Sequence, residues 1–316
     1  MKVLVTEVMW EKGLQELKEF GLEVVYNESL WKDREELLNT LHLYDGLIVR
    51  NQTKVDQELL SAALHLKVIG RLGVGLDNID VKAAKNHGAK VVYARNANAT
   101  SVAEYVMTAI LSASRPLLLA DQDIREGGWD RKRFTGEEIS NKTIGLIGLG
   151  EIAHRVAKRA NSFGMKVIGF DPFMTDYEHI ISETGVEKYS SLKEVLHQSD
   201  FISIHVPLTA DTKHLISHKE LDSMKANSYL LNTSRGGIID ESALTDALVA
   251  NKIAGAYIDV LEEEPINPSH PLLQCKNAIL TPHIAGLTNE SQTRTSLLIA
   301  QEVGKLLKGG HSLCLV

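Results

Sequence analysis

Residues Lys142 to Asp171, KTIGLIGLGEIAHRVAKRANSFGMKVIGFD, restrict what this chain can fold into more than any other stretch. Thr143 to Ile147 is a short apolar run, long enough for one buried strand. Gly148, Gly150 and Ala153 follow with the spacing G-x-G-x-x-A, then a helical pattern runs to Phe163, where Gly164 stops it. Met165 to Phe170 is a second apolar run, ending at Asp171. Strand, glycine turn, helix, strand and terminal acid in that order make a dinucleotide-binding βαβ unit. Gly148 makes a turn too tight for a side chain, Gly150 lets backbone approach a pyrophosphate, and Ala153 keeps helix and strand close. The free N–H groups at the helix start, near Ile152, face the phosphates with the positive end of the helix dipole. Asp171 can accept both ribose hydroxyls. Pro172, Phe173 and Met174 supply no cation for a 2′-phosphate, so NAD is expected rather than NADP.

The rest of the composition is that of a globular α/β protein. Of 316 residues, 44% are hydrophobic and 24% charged, enough for a sizeable core and, by length, two domains. A net charge of -7 and the absence of basic runs argue against a nucleic-acid or membrane-surface partner. Met1 to Val5 begins a strand with no signal-peptide pattern, and no apolar stretch reaches membrane-spanning length. Cys275 and Cys314 are too few for a disulfide framework and lack metal-ligand spacing. A cytoplasmic protein with no metal centre is the expectation.

From Lys2 to about Ala94 the chain alternates strand candidates (Val3 to Val5, Leu22 to Val25, Gly46 to Val49, Leu66 to Ile69, Lys90 to Val92) with helix candidates. The helix candidates are Lys12 to Phe20, Arg34 to Leu41, Asp56 to Ala63 and Val81 to His87. That alternation predicts a parallel sheet covered on both faces. Two loops lie past strand ends, where ligands of parallel sheets bind: DGLIVRNQTK with Arg50, and RLGVGLDN with Gly73 and Gly75. A solvated arginine and a plain glycine turn explain each loop equally well when it is taken alone. Ser101 and Glu104 read as a capping box opening a long helix to about Leu119, and Trp129 as a packing anchor in the polar link after it. Ser191 and Glu194 read as a second box, and Asp240 as the cap of a helix running to about Ala250. Strands are expected at Phe201 to Val206, Tyr229 to Asn232, Gly255 to Ile258 and Asn277 to Leu280, with a last helix from Thr288 to Leu307. Because the dinucleotide fingerprint lies mid-chain, the first domain is not the nucleotide domain. The last helix is expected to pack back on the first domain.

Three polar groups follow strand ends in the second half: Arg235 in NTSRGG, Asp259 and Glu264 in DVLEEEP, and His283 in TPHIAG. All tend toward the sheet edge where a dinucleotide lies. Singly, each is more simply a surface or structural residue. Together they supply what hydride transfer to a 2-keto acid needs: a guanidinium fork for the carboxylate, an imidazole for the proton, and a carboxylate that favours the imidazolium. No H-E-x-x-H, paired C-x-x-C or G-x-S-x-G motif points to another chemistry.

The segments GRLGVGLDNID, NATSVAEYV, GLIGLGEIA, HVPLT, NTSRGGIID, DVLEEEP and TPHIAG resemble the NAD-dependent D-2-hydroxyacid dehydrogenases, in that family's order and over nearly the whole chain. DGLIVRNQTKV is most similar to its phosphoglycerate dehydrogenase branch. The resemblance implies an α/β fold of two domains, both with parallel sheets. A flavodoxin-like substrate domain would span 1–95 and 286–316, and a Rossmann NAD-binding domain 96–285. It implies Arg235 as the carboxylate holder, His283 as acid/base and Glu264, rather than Glu262 or Glu263, as its partner. Gly148, Gly150, Glu151, Ile152, Asp171, Val206, Thr233, Ser234, Asp259 and Gly286 would bind cofactor, Asp259 against the nicotinamide carboxamide. Arg50, Gly73, Val74, Gly75 and Asn98 would bind substrate. A homodimer through the helix from Ser101 to Leu119 is also implied. The expected reaction moves a hydride between NAD(H) and a small (R)-2-hydroxy or 2-keto acid. The favoured substrates carry a second anion, as 3-phosphoglycerate does, with sulfolactate, glyoxylate and hydroxypyruvate as alternatives. The corepressors of this same family keep the catalytic trio, so an NAD-sensing binding protein is the alternative of another class. Glu264 stands where formate oxidation would be expected to need Gln. His154 has no place in the pattern and is expected to be exposed. The chain ends soon after its last helix, so feedback by an appended serine-binding domain is not expected.

Overall fold

A computed structural model describes residues 1–176 and 178–316. In chain order, β1 (Lys2–Val5), α1 (Glu11–Glu19), β2 (Glu23–Tyr26), α2 (Arg34–Thr40), β3 (Gly46–Val49), α3 (Gln57–Ala62), β4 (Val68–Arg71), α4 (Val81–His87) and β5 (Lys90–Tyr93) alternate strand and helix. Then come α5 (Ala99–Ser114), α6 (Leu117–Arg125), β6 (Thr143–Ile147), α7 (Glu151–Ser162), β7 (Lys166–Phe170), α8 (His179–Thr184), β8 (Glu187–Tyr189), α9 (Leu192–Gln198) and β9 (Phe201–Ile204). The chain finishes with α10 (His218–Leu221), β10 (Tyr229–Asn232), α11 (Glu241–Val249), β11 (Gly255–Ile258), β12 (Ala278–Leu280) and α12 (Asn289–Leu307). Two compact units result, one of Met1–Asn98 with Leu287–Val316 and one of Ala99–Gly286. The sequence reading put these divisions at 95/96 and 285/286.

The first unit is a five-stranded parallel sheet in the order β2-β1-β3-β4-β5. Both faces are buried, so the strands are apolar throughout rather than alternating. Leu4, Leu47 and Ile69 face Leu37, Leu59 and Ala84 of α2, α3 and α4. Val3, Val5 and Ile48 face Leu17 of α1 and Ile299 and Val303 of α12. The Trp10 amide donates to Ser296 Oγ at 3.0 Å, tying α1 to α12 across most of the sequence. The second unit is a seven-stranded parallel sheet in the order β12-β11-β10-β9-β6-β7-β8. One face packs under α5, α7 and α8, the other under α9, α10 and α11. In each sheet the winding direction reverses once, between β1 and β3 in the first and between β6 and β9 in the second. The carboxyl ends of strands at such a reversal leave room for a ligand.

Several local expectations are corrected. The long helix starts at Ala99, so Ser101 lies buried within its first turn and is not its cap. Alanine has the highest helix propensity, and it carries the helix two residues further back. Pro116 then breaks the helix, and α6 leaves α5 at a bend of 53°. A proline inside a helix removes an N–H and clashes with the preceding turn. Trp129 is 78% exposed, so it is not the buried packing anchor expected. Ser191 makes no side-chain cap bond, so the box with Glu194 is absent. The capping box that does form is Ser217 with Glu220, opening α10. The strand expected to reach Val206 ends at Ile204. Asp240 caps α11 through the amides of Ser242 and Ala243. Cys275 and Cys314 are buried and free. Among the described residues no single helix is long and apolar enough to cross a membrane.

Candidate active site

The turn after β6 is built as its spacing predicts. Gly148 sits at φ +89°, and a Cβ there would meet the His205 carbonyl at 2.7 Å, so only glycine is accommodated. A Cβ on Gly150 would meet nothing within 4 Å, which leaves open space over the backbone at the start of α7. Among the described residues no side chain caps that helix, so its first N–H groups stay available to an anion. At the end of β7, Asp171 Oδ2 accepts the Leu149 amide at 3.0 Å and Oδ1 the Phe173 amide at 2.9 Å. The acid is thereby fixed against the glycine turn. Past the neighbouring strands two buried polar atoms have no partner among the described residues, His205 Nδ1 and Thr233 Oγ1. Buried polar atoms are normally paired. Open backbone, an uncapped helix start and two orphaned polar atoms along one sheet edge fit a dinucleotide. His205 was not singled out from the sequence. Its other nitrogen contacts Ser203 Oγ at 3.0 Å, and burial lowers its pKa to about 4.

The three expected catalytic residues meet at the same edge, because β10, β11 and β12 are parallel neighbours. His283 Nδ1 lies 2.9 Å from Glu264 Oε2, with both side chains about two-fifths exposed. Glu264 Oε1 accepts the Leu261 amide at 3.1 Å, which orients the carboxylate. Burial pushes the Glu264 carboxyl up. The hydrogen bonds from His283 and Leu261, with the charges of His283 and Arg235, outweigh burial and hold it below its ordinary value. Arg235 follows β10 in a loop shaped by Asn232. The Asn232 Oδ1 accepts the Ser234 amide and hydroxyl, and its Nδ2 donates to the Arg235 carbonyl at 2.8 Å. Ser234 therefore serves this turn, and the Arg235 guanidinium donates to its carbonyl at 2.6 Å.

Asp259, expected beside the nicotinamide, also holds the loop that carries His283. Its Oδ1 accepts from Thr281 Oγ1 at 2.6 Å and from the Ile284 amide at 2.8 Å. Its Oδ2 accepts the Ala285 amide at 2.8 Å. His283, held at its centre, has φ +55°, an uncommon conformation for a side chain with a Cβ. Such strain persists where the surroundings over-determine it. Glu241, at the start of α11, accepts the Glu262 amide at 2.7 Å and pairs with His270 at 3.0 Å, bracing the loop before Glu264. Gly286 and the backbone of Val206 close the set of expected cofactor positions.

His154 is the clearest disagreement with expectation. It is 9% exposed, sits 3.1 Å from Glu183 and stacks edge-on against His179. The apolar face of α7 carries Ala153, Val156, Ala157 and Ala160 inward, and α8 closes over the flank that holds His154. Ligand atoms of Glu151, His154 and His179 lie within 4.8 Å of one another, a grouping the sequence did not show. Arg155 already neutralises Glu151 at 2.6 Å and Lys158 neutralises Glu183 at 2.6 Å. His154 and Lys158 of α7 both reach Glu183 of α8, which joins the two helices.

In the first unit, Arg50 stands just past β3, half-buried, and its side chain has no hydrogen bond or ion pair among the described residues. Burial lowers its pKa, with the nearby Glu7 charge acting against that. Gly73 donates back to the Arg71 carbonyl at 2.8 Å in a tight turn. The amides of Val74 and Gly75 beyond it donate to no described residue. Asn98 Oδ1 is buried without a partner among the described residues.

Residues 107–285 match the family described as "D-isomer specific 2-hydroxyacid dehydrogenase, NAD binding domain". The chain belongs to this family. It is 42% identical over 309 residues to a D-3-phosphoglycerate dehydrogenase of Archaeoglobus fulgidus, covering 98% of this chain and 58% of that protein. It is 41% identical over 314 residues to a glyoxylate reductase of Thermofilum pendens, covering 98% and 92%. Its fold superposes on the crystal structure of the TT0316 protein from Thermus thermophilus with a TM-score of 0.91 at 32% identity, over the whole of both chains. The chain thus spans little more than half the length of its phosphoglycerate dehydrogenase relatives and nearly all of the glyoxylate reductase.

Proposed function

We propose that the chain is an NAD-dependent dehydrogenase that interconverts a small (R)-2-hydroxy acid and its 2-keto acid. The observation that carries this reading is the 2.9 Å pair of His283 and Glu264, with the Arg235 charge acting on it, in the unit that holds the dinucleotide turn. NADH, which the glycine turn at Gly148 and Gly150 and the carboxylate of Asp171 would hold, would supply the hydride. The protein's own groups do the rest. Arg235 takes the substrate carboxylate, where a planar fork matches two oxygens. Protonated His283 gives its proton to the C2 oxygen as charge develops there, and Glu264 stabilises the imidazolium that does so. Solvent restores the proton. In the oxidative direction the neutral imidazole accepts the hydroxyl proton.

The relatives differ in what they are named for: phosphoglycerate carries a second anion and glyoxylate does not. Arg50, whose side chain has no hydrogen bond or ion pair among the described residues, supports the former class, with phosphate, sulfonate or carboxylate as the second group. The exposed apolar side chains of α6, Leu117, Leu118 and Leu119, support a homodimer. The test is initial-rate NADH oxidation with phosphohydroxypyruvate, sulfopyruvate, hydroxypyruvate, glyoxylate and oxaloacetate, run on the native chain and on His283→Ala. Turnover on at least one acid is expected. The variant should fall about 10²–10⁴-fold while still binding NADH. Tight NADH binding with no turnover on any acid would overturn the enzyme reading in favour of a sensor.

A further inference from the structure

Glu7 is 3% exposed and directly follows β1. Its carboxylate accepts four consecutive backbone amides of the loop after β3. Oε1 takes Arg50 at 2.8 Å and Thr53 at 2.9 Å, and Oε2 takes Asn51 at 3.1 Å and Gln52 at 2.9 Å. The loop is clamped elsewhere as well. Thr53 Oγ1 contacts Thr6 Oγ1 at 2.8 Å, and Asn78 Nδ2 donates to the Arg50 and Thr53 carbonyls at 3.1 and 2.7 Å. β1 and β3 are the strands between which the first sheet reverses its winding, the place where such sheets bind ligands.

Four convergent amides form an anion nest. Here the chain's own carboxylate occupies it, so these four amides are taken from any ligand anion. What the loop does present is the Arg50 guanidinium, whose position follows from a backbone fixed at both its amides and its carbonyls. A guanidinium with no hydrogen-bond acceptor among the described residues, on a backbone clamped from both sides, is arranged in advance for a ligand oxyanion. We infer that Glu7 is a positioning residue: it fixes residues 50–53 so that Arg50, by its side chain alone, selects 2-keto acids bearing a second anionic group. This rests on the dehydrogenase reading and on Arg50 as the anion ligand.

Glu7→Gln keeps the shape but offers one acceptor oxygen where there were two, so an amide group faces loop N–H donors. Asn78→Ala loosens the same loop from its carbonyl side and serves if Glu7→Gln folds poorly. The readout is KM and kcat for phosphohydroxypyruvate and for glyoxylate, with NADH affinity, in each variant, in Arg50→Ala and in Glu7→Gln/Arg50→Ala. Expected is a rise of about tenfold in the ratio of the two KM values for Glu7→Gln and for Asn78→Ala, with kcat changing far less. Glu7→Gln should add nothing to the ratio once Arg50 is gone, since coupled residues are not additive. If Arg50→Ala changes the ratio while Glu7→Gln and Asn78→Ala do not, Glu7 is merely structural and the inference is overturned. If Arg50→Ala itself leaves the ratio alone, the anion-ligand reading of Arg50 fails first and carries the inference with it.

Discussion

Replacing Glu264 by Gln isolates the electrostatic part of the proposed dyad. The two side chains are nearly the same size, and the Gln carbonyl can still accept from Nδ1, so ring orientation survives while the charge is lost. Glu264 Oε2 and His283 Nδ1 are 2.9 Å apart and both side chains are about two-fifths exposed. Unit charges about 4 Å apart attract by about 1 kcal/mol in water and by about 4 kcal/mol at an effective dielectric of about 20. A half-open pair belongs nearer the wet limit, so about 1–2 kcal/mol is at stake. The native pair shows the other side of this linkage, a Glu264 carboxyl held below its ordinary range. Its stabilising effect is present above the ordinary carboxylate pKa and lost as pH falls through the lower folded value. For keto-acid reduction, which uses the protonated imidazole, kcat/KM should fall in Glu264→Gln, most of all toward the alkaline side. The maximal rate at the acid end should drop by less than tenfold. Stopped-flow NADH oxidation across the pH range measures both. A profile that stays in place, with near-native rates throughout, would refute the assignment of Glu264 as the partner that stabilises the acid.

Two further expectations follow from groups outside the trio. His205 titrates at about 4 in the folded chain against about 6.5 unfolded, so between those values the unfolded state binds more protons and stability rises with pH. Roughly 2–4 kcal/mol should be lost as pH falls from about 6.5 to about 4, and His205→Gln should flatten that limb in urea melts. An unchanged slope would show that His205 protonates freely. Leu118 is 86% exposed on α6, flanked by exposed Leu117 and Leu119. If these bury against a second copy, Leu118→Asp removes about 1.5–3 kcal/mol per side chain from both halves of a symmetric contact. The dimer dissociation constant, read by light scattering behind a sizing column, should then rise about 100-fold or more. An unaltered mass at low concentration would remove α6 from the interface.

Much of this was legible because apolar runs and their terminators are local. Val81–His87, Tyr229–Asn232 and Gly255–Ile258 have the limits their patterns predict. The meeting of Arg235, Glu264 and His283 was legible for a topological reason. Once the strands are parallel, every loop after a strand opens on one edge. What escaped depended on contacts between elements. Glu7 was not singled out from the sequence, because its partners are backbone amides 43 to 46 residues away, which leave no trace in side-chain pattern. His154 was misjudged because the periodicity of α7 reports the face turned to the sheet, while α8 covers a different flank. Ser101 and Ser191 have the right residues at the right spacing. Yet the first was drawn into a helix and the second makes no side-chain cap bond.

The two sheets reverse direction in the same way, and their sequences treat the reversal oppositely. Past β6, glycine keeps the space empty: no side chain rises from Gly150, none among the described residues caps α7, and the amides remain available. Past β1, Glu7 fills the space and takes four amides out of reach of any ligand anion. An open nest binds phosphate through backbone, which recognises charge and shape but tolerates many ligands. On the proposal that Arg50 is the anion ligand, a filled nest removes that option and leaves recognition to a single side chain, whose exchange is expected to change which anion is accepted. Backbone recognition suits a coenzyme that never changes. A lone guanidinium on a clamped loop suits a family whose relatives take acids as different as phosphoglycerate and glyoxylate. Substitution at position 50 should therefore redirect specificity more readily than substitution at the glycine turn, where any side chain at 148 meets the backbone of His205.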